Sequence, residues 1–239
     1  IETLLQANGF PKGGNPGGVV VAPNGGAVLF YADNHSWSVC DRLAAWLMEQ
    51  VWCGAIIASD ALGGIPGTLP ASLVGIEGPR GPDLAMSFAW DSLSNEAGFN
   101  GHIYSSISSA DLAKSCGSTD KFLGQGQHGS MSKHELRNVL VARGPSFKKN
   151  TLVHTPTGNA DLTPTLLRVL GIPTDQNFDG RVIHEALIGG SSSSDIDWLA
   201  ETHRADRDVG VGIYRQEVTV SRVGKTSYID EGKAKLEVQ

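Results

Sequence analysis

The chain has 239 residues, of which 40% are hydrophobic and 18% charged, with 30 glycines and 11 prolines. This composition excludes collagen-like, coiled-coil and disordered proteins and is typical of a globular protein with many turns. Nineteen Lys and Arg against 25 Asp and Glu give a net charge of −6, so a nucleic-acid polymer is not an expected partner. No run approaches the roughly 20 apolar residues that a membrane-spanning helix needs.

The length suits one domain, and we expect residues 1–239 to form it. Directly after Ile1, residues 2–10 have the pattern of the last turns of a helix that ends at Gly9. This pattern favours the interpretation that the chain is the C-terminal part of a larger catalytic domain.

The first half of the chain predicts a hairpin, a helix and two buried strands. Apolar residues 19–22 and 27–31 flank a turn that contains Gly25 and Gly26, which is typical of a β-hairpin. Residues 38–50 carry apolar side chains at helical spacing. The runs at 55–58 and 84–90 are nearly continuously apolar, as in strands that are buried on both faces of a sheet.

The second half begins with a long polar loop at residues 91–127, a length that in compact domains is usually functional or mobile. Residues 139–142 (VLVA) predict another central strand. Thr163 as the cap, Pro164 in the first turn and the following leucines predict a helix that ends at Gly171.

Three further features complete the chain. Residues 182–188 predict a second short helix, and residues 189–194 a linker-like break. Residues 213–220 and 226–238 predict a final antiparallel pair. The predicted fold class is therefore α/β, with a central, mostly parallel mixed sheet, helices on both of its faces, and an antiparallel pair at the end.

Two common enzyme motifs are excluded. Residues 124–129 (GQGQHG) have the letters of a dinucleotide-binding loop, but no apolar strand precedes them, and Lys148 and Lys149 stand where an acidic residue is needed. No G-x-S-x-G string is present, which argues against an α/β-hydrolase. Cys40, Cys53 and Cys116 match no zinc or redox spacing, and we favour buried thiols over a Cys40–Cys53 bridge.

The distinctive part of the chain is an ordered series of short motifs, at residues 127–132 (QHGSMS), 137–149 (RNVLVARGPSFKK), 156–167 (PTGNADLTPTLL) and 178–182 (FDGRV). This series resembles the C-terminal part of the type I phosphodiesterase/nucleotide pyrophosphatase family of the alkaline phosphatase superfamily. The resemblance implies an alkaline-phosphatase-like fold and a hydrolase with two divalent metal ions, usually zinc, acting on a phosphoester or phosphoanhydride. In such enzymes a Thr or Ser attacks phosphorus while the metals stabilise the charge.

The resemblance assigns His128 as a ligand of one metal ion, and the glycine beside it would let the chain turn sharply there. Ser130 and Asn138 are candidates for hydrogen bonds around the metal site, although a role in stabilising loops is equally open. Asp161 precedes a predicted helix, so we favour a role at the helix end over metal ligation.

The chain also departs from the family. It contains no Asp-His pair, its nucleophile cannot be identified, and one histidine cannot hold a catalytic zinc, which needs about three protein ligands. We therefore expect the chain to be catalytically incomplete, with either a missing N-terminal half or a homo-oligomer as partner. Two alternatives are a sulfatase or phosphomutase of the same superfamily, and a non-catalytic module that keeps the fold and binds a partner or carbohydrate.

Overall fold

The computed structural model describes residues 1–94, 98–105 and 128–238. The chain divides into two compact units. The first unit comprises Ile1–Arg137, Thr202–Thr219 and Asp230–Gln239, and the second comprises Asn138–Glu201 and Val220–Ile229. Each unit is described separately below.

The first unit begins with helix α1 (Glu2–Ala7) and contains a five-stranded sheet. The strands of this sheet are β1 (Val19–Asn24), β2 (Ala27–Ala32), β3 (Cys53–Ala58), β4 (Leu69–Pro70) and β5 (Leu84–Phe88), in the order β1-β2-β5-β3-β4. The register pairs Asn24 with Ala27, so two glycines close a tight turn. The predicted hairpin and the two predicted buried strands are confirmed.

The predicted alkaline-phosphatase-like fold, with a central, mostly parallel sheet and helices on both faces, is wrong. The β1–β2, β2–β5 and β3–β5 pairs are antiparallel, and only the two-residue pairing of β3 with β4 is parallel in this sheet. Continuous apolar runs were interpreted as parallel strands because parallel sheets are usually covered on both faces. Here β3 and β5 are completely buried within an antiparallel arrangement, so burial on both faces did not determine strand direction.

Helix α2 (Trp37–Met48) covers β3 with one apolar face. The buried side chains of this helix are Cys40, Leu43, Ala44, Leu47 and Met48, which recur at the three- and four-residue spacing of a helix face. They join one core cluster with Phe30, Ile56, Met86 and Tyr214. The predicted helix at residues 38–50 is confirmed, and Cys40 and Cys53 are buried free thiols, whereas Cys116 lies outside the described residues.

Strand β3 carries an irregularity that a distant glutamine compensates. Its register against β5 shifts between Cys53 and Ile56. The Gln216 amide accepts a hydrogen bond from the Ile56 amide (2.8 Å) and donates to the carbonyls of Ile56 (3.0 Å) and Gly67 (2.6 Å). The Tyr214 hydroxyl donates to the Gly54 carbonyl at 2.6 Å. Backbone groups that a regular ladder would pair are therefore paired by side chains.

The chain ends in a three-stranded sheet of β8 (Leu199–Asp208), β9 (Gly212–Val223) and β10 (Thr226–Val238), in the order β10-β9-β8. The expected final pair is thus part of a larger sheet. Glu217 on the outer face of β9 pairs with Arg204 and with Lys233, both at 3.1 Å. Such cross-strand charge pairs are typical of a solvent-facing sheet surface.

The second unit contains helix α4 (Leu162–Leu170), preceded by a 3-10 turn at Asn159–Asp161. The helix ends at Gly171, as predicted, but it begins one residue before Thr163, which is therefore not its cap. A single 3-10 turn at His184–Ala186 replaces the predicted second helix, and another occupies Ser193–Asp195.

The predicted strand at residues 139–142 is wrong, because these residues form no strand. Val139 is 89% exposed and Val141 is 83% exposed. An apolar run of high β propensity is thus exposed in the second unit and assigned to no strand.

The polar segment 91–127 begins with regular structure. Strand β6 (Trp90–Ser94) pairs antiparallel with β7 (Asn100–Ile103), and helix α3 (Lys133–Leu136) follows later in the chain. Residues 95–97 and 106–127 of the predicted loop, and residues 124–127 of its glycine-rich motif, lie outside the described residues. Among the described residues, no helix is both long and apolar enough to span a membrane.

Candidate functional site

His128 lies beside the turn of the β1–β2 hairpin in the first unit. The Gly26 amide donates a hydrogen bond of 2.6 Å to the His128 carbonyl, which fixes the backbone at this position. His128 itself is exposed. An exposed imidazole can offer a ring nitrogen to a metal ion at the protein surface.

The two glycines at this contact are sterically required. Gly129 has a φ of +94°, and a Cβ there would lie 2.6 Å from the Asn24 carbonyl oxygen. A Cβ on Gly26 would lie 2.6 Å from the Ser130 amide nitrogen. The close approach of the two segments therefore depends on glycine at both positions, as the sequence suggested for Gly129.

Ser130 is buried and bound to Glu135. Its amide and its hydroxyl both donate to Glu135 Oε2 at 2.8 Å, and its hydroxyl also accepts from the Ser132 amide at 3.1 Å. The next residue, Met131, donates its amide to the Ser87 hydroxyl at 2.9 Å. Ser130 thus stabilises the loop that carries His128, which is one of the two roles left open for it.

A second histidine, His134, follows in the short helix α3. Its Nε2 lies 3.1 Å from the Ser92 hydroxyl, and its ring packs edge-on against Trp90 at 5.8 Å. The Trp90 indole donates to the Gly232 carbonyl at 2.7 Å. The contacts of His134 with Ser92 and Trp90 attach the segment after His128 to β6, and the bond from Trp90 to Gly232 attaches β6 to β10. The contact with Ser92 uses the Nε2 atom of His134.

A complete zinc site is not formed around His128 by the residues described. In the described ranges 1–94, 98–105 and 128–238, no group of three or more His, Cys, Asp or Glu side chains could hold a metal ion. Glu135 is the carboxylate in contact with this loop, and its Oε2 is occupied by Ser130. The donor set therefore amounts to one imidazole, whereas a catalytic zinc needs about three protein ligands.

Asn138 and Asp161 belong to the second unit. Asn138 is exposed, directly before the exposed apolar run. Asp161 is fully buried, and its carboxylate accepts hydrogen bonds from the Gly158 amide (2.9 Å), the Arg181 amide (2.7 Å) and the Tyr228 hydroxyl (2.9 Å). These bonds support the structural role of Asp161 at the turn before α4.

Arg181 extends this polar network. Its guanidinium forms a two-pronged ion pair with Glu185, with N–O distances of 2.6 and 3.0 Å, and its Nε donates to the Tyr228 hydroxyl at 3.1 Å. Burial alone would raise the pKa of Glu185, but the Arg181 guanidinium holds that pKa below its usual value. Burial, and then the hydrogen bond to Asp161, raise the pKa of Tyr228 to about 12. Arg181 and Glu185 thus form an ion pair, while hydrogen bonds hold the Asp161 carboxylate, as in a stabilising cluster.

A contact between a histidine and a carboxylate in the first unit was not expected from the sequence. His35 Nδ1 lies 2.8 Å from Asp83 Oδ1, between the end of β2 and the start of β5. The two residues are 48 positions apart, and no motif links them. The antiparallel pairing of β2 with β5 brings the end of β2 beside the start of β5 and so brings these two residues together.

Comparison of the chain with family models, curated protein sequences and solved structures finds no significant match.

Proposed function

We propose that the chain is part of a metal-dependent phosphoester hydrolase of the phosphodiesterase/nucleotide pyrophosphatase type. In this proposal His128 contributes one imidazole ligand to a divalent ion, most suitably zinc, and the substrate is a phosphoester or phosphoanhydride. The observation that carries it is the exposed His128 on a backbone fixed by the Gly26 contact, within the ordered series of family-like motifs.

The surroundings of His128 support a ligand role in two ways. Gly129 and Gly26 allow two segments to approach within contact distance, so the backbone that carries the imidazole is held in place. Ser130 and Glu135 then hold the loop from the other side. A ligand position that is fixed before the metal arrives loses little conformational entropy on binding.

The proposal also requires ligands that the described residues do not supply. One imidazole binds a hydrated zinc ion weakly, so the chain by itself should neither retain zinc tightly nor hydrolyse phosphoesters efficiently. The remaining ligands and the nucleophile would come from other residues or from another polypeptide. The proposal therefore predicts weak metal binding that depends on His128 and strengthens when those ligands are added.

The test is zinc binding by isothermal titration calorimetry on the wild-type chain, on His128→Gln and on the control His154→Gln, which changes an exposed histidine of the second unit. We expect His128→Gln to weaken zinc binding at least about tenfold and His154→Gln to leave it unchanged. Hydrolysis of bis(p-nitrophenyl) phosphate with added zinc is measured on the same samples.

Equal zinc affinity in all three proteins would overturn the ligand assignment. Efficient hydrolysis by the wild-type chain that survives His128→Gln would show a different active site. Hydrolysis of an aryl sulfate in place of the phosphodiester would support the sulfatase alternative, which uses a similar metal site with another nucleophile.

A further inference from the structure

The His35–Asp83 pair combines an exposed imidazole with a buried carboxylate. The His35 side chain is 78% exposed, whereas the Asp83 side chain is 5% exposed. Asp83 Oδ1 lies 2.8 Å from His35 Nδ1, and Asp83 Oδ2 accepts a hydrogen bond of 2.7 Å from the Ala32 amide. The carboxylate is therefore fixed by the sheet and holds one edge of the ring.

This arrangement selects one form of the neutral imidazole. An ionised carboxylate can only accept, so Nδ1 carries the proton and Nε2 keeps its lone pair. Since Nδ1 faces Asp83 and the ring is largely exposed, Nε2 is the nitrogen available to an external group. A positive charge that develops on the ring would be stabilised by Asp83 across a single hydrogen bond.

Asp83 is largely shielded from water, so its charge acts strongly on neighbouring groups. Burial first, and then the charge of Asp83, raise the pKa of the Cys40 thiol to about 12. The Asp83 side chain is itself only 5% exposed, so water screens its charge little.

The backbone at His35 is held in an uncommon conformation. Asn34 and His35 have φ values of +53° and +50°, the left-handed region that side-chain-bearing residues rarely occupy in succession. The turn is fixed by the Asp33 amide, which donates to the Gly18 carbonyl at 2.9 Å, and by the Ser36 amide, which donates to the Asp33 carbonyl at 3.2 Å. Such conformations persist only when surrounding contacts impose them.

We propose that His35 is a phosphoryl-accepting histidine, a site distinct from the proposed metal ligand His128. The donor is of the acyl phosphate class. The Nε2 lone pair forms the new N–P bond, the P–O bond to the acyl group breaks, and the carboxylate leaves with its electron pair. The proton stays on Nδ1, so the ring becomes a phosphorylated imidazolium paired with Asp83.

The test exposes the whole chain to acetyl phosphate and follows the phosphoryl group by peptide mapping at neutral pH and by phosphorus NMR. Within the wild-type protein, we expect His35 to be phosphorylated at least about tenfold faster than the exposed His154, because Asp83 holds the ring proton on Nδ1 and stabilises the charge that develops as Nε2 attacks. In urea, where the Asp83 contact is lost, the two histidines should react at equal rates.

Two variants separate the pair from the single histidine. His35→Asn removes the nucleophile while keeping a residue that tolerates the left-handed region, and should abolish labelling at this position. Asp83→Asn removes the charge and should slow labelling of His35 at least about tenfold. Its urea midpoint is measured in parallel, and the comparison of His35 with His154 in the wild type stands even if this variant unfolds.

Equal rates at His35 and His154 in the folded wild-type chain would overturn the proposal. Labelling of His35 that is unchanged in a folded Asp83→Asn protein would also overturn it. These results are independent of zinc binding by His128, so failure here leaves the proposed hydrolase function as it stands.

Discussion

Gln216 is a fully buried amide that replaces part of a strand ladder. It pairs with both backbone groups of Ile56 and with the Gly67 carbonyl, next to the register shift in β3. We predict that Gln216→Leu, which has similar volume and no polar atoms, lowers the free energy of unfolding by about 3 kcal/mol, because several buried backbone groups lose their partners. Urea denaturation followed by circular dichroism measures this change.

The control for Gln216 is Thr219→Val on the same strand. Thr219 shares a 3.0 Å hydrogen bond with Thr202 on the exposed face of the sheet, so its loss should cost less than about 0.5 kcal/mol. Equal urea midpoints for the wild type and Gln216→Leu would mean that the backbone of Ile56 is satisfied without the amide.

Tyr228 makes the second unit less stable as the pH becomes alkaline. Its pKa is about 12 in the folded protein against 10 for an ordinary tyrosine, so the folded state prefers the neutral phenol. The stabilisation is complete below pH 10 and is lost as the pH rises from 10 to 12. We predict that the difference in urea midpoint between the wild type and Tyr228→Phe is constant below pH 10 and shrinks above it. A difference that persists unchanged to pH 12 contradicts this assignment.

The sequence indicated residue roles where a local rule applied and missed them where partners are distant. Asp161 was expected to serve the first amides of the following helix, but its side chain caps none of them and instead accepts a hydrogen bond from the Gly158 amide of the preceding 3-10 turn. Its bonds to Arg181 and Tyr228, 20 and 67 positions away, could not be inferred from local pattern. The same holds for Gln216 with Ile56, which are 160 positions apart.

Helix α4 ends at Gly171, and the left-handed backbone conformation of this glycine terminates the helix. Gly171 has a φ of +67°, and a Cβ there would meet no atom within 4 Å. Gly171→Ala should therefore cost about 1 kcal/mol through backbone strain alone. Gly171→Asn should cost less, since Asn tolerates the left-handed region. Urea denaturation of the three proteins tests this order, and equal stability of the Ala variant and the wild type would contradict it.

The elements predicted from sequence are those that depend on neighbours in the chain. The hairpin follows from two glycines between apolar runs, and α2 follows from its three- and four-residue spacing. The pairing direction of β3 and β5 depends instead on connections and packing. A buried apolar run has the same sequence pattern in a parallel and in an antiparallel sheet. The predicted mostly parallel sheet was wrong for this reason.

At the scale of the whole molecule, apolar surface is left uncovered in the second unit. Leu162, Leu166 and Leu170 lie four residues apart along α4 and are all exposed, so they form one stripe on the helix. Val139 and Val141 are more exposed still. An exposed apolar run with high β propensity is a typical site of strand-to-strand association between molecules.

We therefore predict that the chain self-associates through residues 139–142. The double substitution Val139→Thr with Val141→Thr keeps the shape and β propensity but adds two hydroxyls, and should raise the dissociation constant of self-association at least about tenfold. Val139→Ile with Val141→Ile adds apolar surface at the same positions and should lower it. Sedimentation velocity over a range of protein concentrations measures both. Because these side chains are exposed, the urea midpoint should not change, and self-association that is equal in all three proteins would exclude this segment as the contact.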